Sequence, residues 1–285
     1  MKFSFTKMHG LGNSYVYVDL FQEIMDESKL SAIARQVSSI NTGIGSDGLI
    51  LIQPSEQADL GMRIFNKDGS EGQSCGNGLR CVAKYAYEQG IVQSKQFTIE
   101  TKANIVDAKV AVENSCVELV TINMGKPILQ RNLIPMVGAL TEQVIAEPFT
   151  VNGIQLNVTA VSMGNPHAIF FVDKLKETDV LEIGPLIEKD DRFPDGVNVE
   201  FIEVVSPTEI NFSVWERGSG VTQACGTGAC ASVVAAILTN QVSKNEEITV
   251  HLPGGDLYIK WDNHDYVWMT GDAETIATGV YYASI

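Results

Sequence analysis

The hexapeptide Gln73-Ser74-Cys75-Gly76-Asn77-Gly78 recurs, nearly unchanged, as Gln223-Ala224-Cys225-Gly226-Thr227-Gly228, with the two cysteines 150 positions apart. A turn repeated at so large a spacing implies that the chain around it is repeated too. At the same offset Phe65 falls on Trp215, Asn66 on Glu216, Lys67 on Arg217 and Gly48 on Asn198; at an offset of 152, Gly12-Asn13 falls on Gly164-Asn165. The matches gather at glycines, asparagines and the cysteine turn, not at core positions. Two homologous halves of similar fold are therefore expected.

The order of expected elements agrees. In the first half, strands at 2–6, 15–20, 48–52 and 62–65 surround helices at 27–37 and 76–89, and a meander follows over 97–124. In the second, strands at 156–162, 168–172, 197–204 and 210–215 accompany helices at 180–188 and 226–239, with further strands to 282. The stretch Ala229–Leu238, ACASVVAAIL, is apolar all round and reads as a buried helix. The expected fold class is α+β, with two pseudo-symmetric lobes, each a mostly antiparallel sheet wrapped around a central helix. The Met124-Gly125-Lys126-Pro127 turn marks the boundary. The first lobe is expected over 1–124 with 272–285 returning to it, the second over 125–271, and the active site in the cleft between them.

A chain of 285 residues with a net charge of −15 repels nucleic-acid backbone and anionic membrane, so neither is an expected partner. No apolar run reaches the roughly 18 residues of a membrane span, and the N-terminus lacks the apolar region of a secretory signal. A cytoplasmic protein is expected, whose five cysteines are thiols.

Each repeated cysteine precedes a helix. The first helical N–H groups lack partners within the helix and, with the helix dipole, favour an anion such as a carboxylate. The glycines beside each cysteine let backbone approach a ligand. The same dipole, worth up to about 2 kcal/mol, draws a thiol from near 8.5 towards neutrality, where it serves as a general base. Two facing sulfurs do not both ionise, so one thiolate and one thiol form the expected pair. A base on one face of a carbon and an acid on the other is what stereo-inversion requires. The spacings Cys75-x5-Cys81 and Cys225-x4-Cys230 match neither common zinc sites nor a C-x-x-C redox pair, so no metal is expected. Cys81, Cys116 and Cys230 read as core side chains. No motif demands pyridoxal phosphate, and no cofactor is expected.

The stretches MHGLGN (8–13), GIGSDG (43–48), FNKDGSEGQSCGNGLRC (65–81), MGNPHA (163–168), PDGVNVEF (194–201) and WERGSGVTQACGTGAC (215–230) together resemble the diaminopimelate epimerase family nearly end to end. The resemblance implies a cofactor-independent, two-base amino-acid epimerase that interconverts LL- and meso-diaminopimelate, on the route to lysine and peptidoglycan, and a homodimer. It implies Cys75 and Cys225 as the catalytic bases. Gly76, Asn77, Gly226 and Thr227 would cradle the carboxylate at the reacting carbon, and Asn13, Asn66, Asn165, Asn198, Glu216 and Arg217 would contact the rest of the substrate. Arg217 suits a carboxylate bidentately, Glu216 suits an ammonium group, and asparagines orient a polar end without net charge. His167 and Glu216 are candidates for setting the charge of a sulfur, with a structural role for His167 as the alternative. Some family members carry glutamine where this chain has Gly48, so a side-chain contact is lost there. The alternative functions are another amino-acid racemase or dehydratase of the same fold, proline- or histidine-racemase-like, and a non-catalytic amino-acid binding protein.

Overall fold

The computed structural model describes residues 1–284; Ile285, the last residue expected to return to the first lobe, lies outside the described residues. The chain divides into two compact units, Met1–Ile122 with the chain from Thr270 on, and Asn123–Met269.

The first unit opens with β1 (Lys2–Gly10) and β2 (Asn13–Asp19), a hairpin whose register closes at Gly10 opposite Asn13. Its two loop residues, Leu11 and Gly12, both have positive φ (55° and 85°), the conformation a two-residue hairpin demands. Asn13 is thereby fixed at the start of β2. The helix expected from residue 27 splits in two. Asp26 accepts from Ser28 N–H and closes a 3₁₀ turn over Glu27–Lys29, and α1 (Leu30–Ser38) then buries Leu30, Ile33, Ala34 and Val37. β3 (Gly48–Gln53) lies parallel to β2 and antiparallel to β4 (Leu60–Asn66). Next come α2 (Gly76–Glu88), β5 (Gln96–Glu100), β6 (Ile105–Glu113) and β7 (Cys116–Asn123). β5 is parallel to β4; β5, β6 and β7 form an antiparallel meander. α2 packs on β1, β2 and β6. Cys116, expected in the core, is instead exposed beside a tight turn whose Asn114 and Ser115 have positive φ.

The second unit contains β8 (Glu147–Val151), β9 (Ile154–Ser162), β10 (Pro166–Phe171), α3 (Val180–Glu188), β11 (Asn198–Ser206), β12 (Glu209–Glu216), β13 (Gly220–Val221), α4 (Gly226–Leu238), β14 (Glu247–Leu252), β15 (Gly255–Trp261) and β16 (Val267–Gly271). α4 packs on β9, β10, β11 and β15. The apolar stretch 229–236 is buried on every side, as its sequence requires. A separate core of Phe149, Phe170, Phe193 and Phe201, whose rings stack, tilt or meet edge to face, packs against Val180 and Ile183 of α3. β17 (Glu274–Tyr282) then pairs antiparallel with β1 and completes the first unit, and Ala283 joins a core of Phe3, Val16, Leu30 and Leu49.

The architecture is α+β, and pairing within each unit follows one scheme. β2–β3 and β10–β11 are parallel; β3–β4 and β11–β12 are antiparallel. The registers match residue for residue: Val16 lies opposite Leu49, and Ala168 opposite Val199; Leu49 lies opposite Phe65, and Val199 opposite Trp215. α2 and α4 start 150 residues apart and have equal length. The repeat is therefore one of backbone and register, with little of the core sequence retained.

Candidate active site

In each unit a cysteine takes up the N-cap position of the central helix. Cys75 has extended backbone, and its sulfur accepts from Gly78 N–H at 3.4 Å. Cys225 likewise precedes α4 in extended conformation, with Gly228 N–H directed at its sulfur. The glycine three residues on is what lets the sulfur sit there. A Cβ on Gly78 would lie 2.7 Å from Ile50 Cδ1 and 3.7 Å from Cys75 Sγ; one on Gly228 would lie 2.7 Å from Glu200 Oε1 and 3.1 Å from Cys225 Sγ. These glycines leave room for the packing between the sulfur and the facing strand.

Around Cys75 the polar partners come from the β1–β2 hairpin. Its sulfur donates to Asn13 Oδ1 at 3.5 Å, and Asn77 Nδ2 donates to the same oxygen at 3.4 Å. Asn13 Nδ2 in turn donates to Asp47 Oδ2 at 2.8 Å, and Ser14 N–H donates to that oxygen too. The Asp47 carboxylate only accepts, so it fixes which end of the Asn13 amide faces the sulfur. Tyr15 is buried beside this group, and burial, with Cys75 and Asp47 adding to it, raises its phenol. Asn66 ends β4 opposite Gly48 and donates from Nδ2 to Ser70 Oγ. At Gly48 a Cβ would stand 2.1 Å from the Phe65 carbonyl oxygen. With this backbone the position admits no side chain, and the glutamine-type contact is absent for a steric reason.

Around Cys225 the setting is ionic. His167 and Glu200 are both fully buried and joined Nδ1 to Oε1 at 2.6 Å. They meet because β10 and β11 are parallel with His167 opposite Asn198; Glu200, two residues on, shares the face. The other nitrogen of His167 lies 3.0 Å from Asn165 Oδ1. Asn165 Nδ2 donates to Thr227 Oγ1 at 3.3 Å, and that hydroxyl is 3.6 Å from Cys225 Sγ. Glu216, half-buried, accepts from the Thr222 hydroxyl and lies beside Cys225. Burial pushes the Glu200 carboxyl up, while His167 pulls it back. Burial also raises Glu216, with Glu200 adding to it. The Cys225 thiol is pushed well up, first by burial and then by Glu216 and Glu200. The helix end, expected to favour thiolate, is outweighed here.

Asn198 donates from Nδ2 to the Pro166 carbonyl and accepts at Oδ1 from Arg217 N–H. It therefore spends its side chain on backbone. Arg217 is exposed; its guanidinium donates to the Asp195 carbonyl at 2.8 Å and, among the described residues, forms no ion pair with a carboxylate. Such a guanidinium remains available to a ligand carboxylate. Asp47, Glu200, Thr222 and Tyr15 were not singled out from the sequence. Asp47, Glu200 and Thr222 lie inside the motifs quoted above, yet their contribution depends on which face of a strand or loop turns inward.

The thiol shifts carry a pH dependence. Burial raises Cys225, and raises Cys81 to about 12. In the unfolded chain both ionise near ~8.5. The stability they contribute is thus complete below about pH 8.5 and is lost as pH rises through their folded values. Urea midpoints between about pH 7 and pH 10.5 should fall less steeply for Cys225→Ser than for the parent chain. Identical slopes would contradict the raised thiol.

The chain matches the sequence profile of one family, described as diaminopimelate epimerase, over residues 5–130 and 159–276. It is 64% identical over 282 residues to a diaminopimelate epimerase of Oceanobacillus iheyensis, covering 99% of each chain. It is 63% identical over 281 residues to one of Geobacillus sp., again covering 99% of each. Among solved structures, a hydroxyproline epimerase of Agrobacterium vitis superposes with a TM-score of 0.70 at 15% identity, over 98% of this chain and 92% of the other. At that identity the likeness concerns the fold.

Proposed function

The chain belongs to the diaminopimelate epimerase family, and on that premise we propose that it interconverts LL- and meso-diaminopimelate by moving an α-proton between two cysteines. The observation that carries this reading is the pair of matched sulfur seats, Cys75 on α2 and Cys225 on α4, each at a helix N-terminus over a glycine. The raised thiol at Cys225 suits the acid of the pair, which leaves Cys75 as the base for one isomer; the roles exchange for the other. The N–H groups that open each helix, at Gly76-Asn77 and Gly226-Thr227, hold the carboxylate of the reacting carbon. The proton leaves one sulfur's side and another arrives from the opposite face, so configuration inverts without redox change.

The second amino-acid head of the substrate needs a cation for its carboxylate and acceptors for its ammonium. Arg217 offers the former and Glu216 the latter, with Asn66 to orient them. A monoamino acid would leave Arg217 unused, which favours diaminopimelate over proline or histidine. In this reading, Asn13, Asn165 and Asn198 contribute contacts to substrate while each also keeps its protein partners.

A homodimer belongs to the same reading. β17 carries Ile276, Val280 and Tyr282 exposed, at 49, 51 and 74%, and a strand bearing such side chains suits a partner copy. A cytoplasmic setting is proposed with it, because a reducing compartment keeps the two sulfurs as thiols.

In deuterated water the LL isomer should gain α-deuterium as meso appears. Cys75→Ala and Cys225→Ala should each lower epimerisation at least about a hundredfold; near-normal inversion by either variant would defeat the two-base assignment. Arg217→Met should raise KM for diaminopimelate by at least about tenfold, the loss of roughly 1.5–3 kcal/mol for a charged hydrogen bond. An unchanged KM would remove Arg217 from the site. Light scattering after size exclusion should give twice the chain mass, and Tyr282→Glu with Ile276→Glu should reduce it. A monomeric parent chain would exclude the dimer.

A further inference from the structure

The repeat is broken in one place beside the sulfurs. The positions that flank Cys225 as His167 and Glu200 are, at the offsets of 152 and 150, Tyr15 and Ile50 beside Cys75. The backbone is the same: Ile50 Cδ1 and Glu200 Oε1 occupy equivalent places, each 2.7 Å from a Cβ built on the helix glycine. One half therefore packs a methyl group against the sulfur's seat, and the other packs a carboxylate that is fully buried, with its second oxygen unpartnered. Burying a carboxylate where its own repeat uses isoleucine costs free energy before its partner is counted. Such a substitution calls for a purpose.

Donor and acceptor accounting supplies one. His167 Nδ1–H donates to the Glu200 carboxylate, which leaves Nε2 as the variable nitrogen. With a proton on Nε2, His167 donates to Asn165 Oδ1, Asn165 Nδ2 donates to Thr227 Oγ1, and the Thr227 hydroxyl proton is left for Cys225 Sγ. That arrangement suits a thiolate. With Nε2 bare, the Asn165 amide turns half over, Nδ2 donates to the ring, and Oδ1 accepts from Thr227, whose oxygen then accepts from a Cys225 thiol. The two ends of an amide have nearly the same shape, so both arrangements fill the same space. Every bond is kept in both, and both hold the same number of protons: an S–H is exchanged for an N–H. Beside Cys75 the corresponding amide, Asn13, is pinned by the Asp47 carboxylate and cannot reverse.

We propose that Glu200 is a positioning residue for Cys225, acting through a reversible hydrogen-bond relay, Glu200–His167–Asn165–Thr227, that lets this sulfur serve as thiol or as thiolate with no bond left unmade. The proposal rests on the epimerase reading, in which each cysteine must be acid for one isomer and base for the other. The groups that bear directly on the sulfur are Glu200 on β11, Glu216 at the end of β12, and Thr227 with the Gly228 N–H on α4, while His167 on β10 is joined to Glu200 and Asn165.

The relay and a plain charge effect predict opposite signs, which makes the test decisive. Removing a neighbouring negative charge should, by Coulomb's law alone, make Cys225 easier to ionise. Loss of the relay should make it harder, because the protonated ring loses its anchor. The experiment is a pH titration of the full chain labelled with 13C at cysteine Cβ, the Cys225 signal being assigned by its absence from Cys225→Ser. It requires no turnover, so it can fail while the epimerase reading stands. In Glu200→Gln the Cys225 titration should move to higher pH. Thr227→Val, which removes the hydroxyl and keeps the backbone N–H, should move it the same way, and the double variant should titrate no higher than Thr227→Val alone. In turnover, Glu200→Gln should lower kcat by about tenfold or more with KM nearly unchanged. A downward move of the Cys225 titration in Glu200→Gln, or additive effects in the double variant, would overturn the proposal. Should Glu200→Gln fail to fold, a Cys225 titration unmoved by Thr227→Val would overturn it equally.

Discussion

Each unit depends on one close approach: a cysteine sulfur seated over the first turn of a buried helix, with a side chain of the facing strand on its other flank. Glycine three residues after the cysteine permits it, since a Cβ there would stand 2.7 Å from Ile50 in one unit and from Glu200 in the other. The same turn that seats the sulfur aims unpaired N–H groups outward. In the proposed reaction, one local geometry thus supplies both the reacting atom and the anion cradle. The surrounding strands are then constrained in register, because the flanking residue must arrive opposite the glycine.

The two seats are alike in backbone and unlike in electrostatics. Cys75 is served by neutral amides and a tyrosine, with the buried Arg80 guanidinium acting on it and Asp47 holding Asn13 from behind. Cys225 is flanked by Glu200 and Glu216, with His167 bonded to Glu200, and burial with the two carboxylates raises its thiol. Burial and helix dipole act in opposite directions on a thiol. Which prevails is decided by how deeply the helix end is covered. At Cys225 the cover is nearly complete, and the dipole loses.

Much of the architecture was legible in advance. The 150-residue offset, the all-apolar helix 229–238 and the glycine-marked turns located both central helices to within a residue. Less visible were the strands with weak alternation. β8, with Pro148 inside it, gave no clear strand signal. The helix expected from Glu27 breaks because Asp26 caps a 3₁₀ turn first. Cys116 reads as core by residue type, yet it lies exposed by a tight turn. These are cases where a local cap or turn overrides a pattern that extends over many residues.

The sequence by itself determined the family, the α+β class, the duplicated cysteine turn and the residue types available for two-base chemistry, because each of these follows from local pattern and spacing. Tertiary structure alone decided the environment of each sulfur. That Glu200 meets His167, that Gly48 faces the Phe65 carbonyl, and that Asp47 pins Asn13 while, among the described residues, no carboxylate pins Asn165 in the same way are consequences of strand register and burial. Charge in a dry interior is set by neighbours brought from distant parts of the chain, and no spacing along the sequence records them.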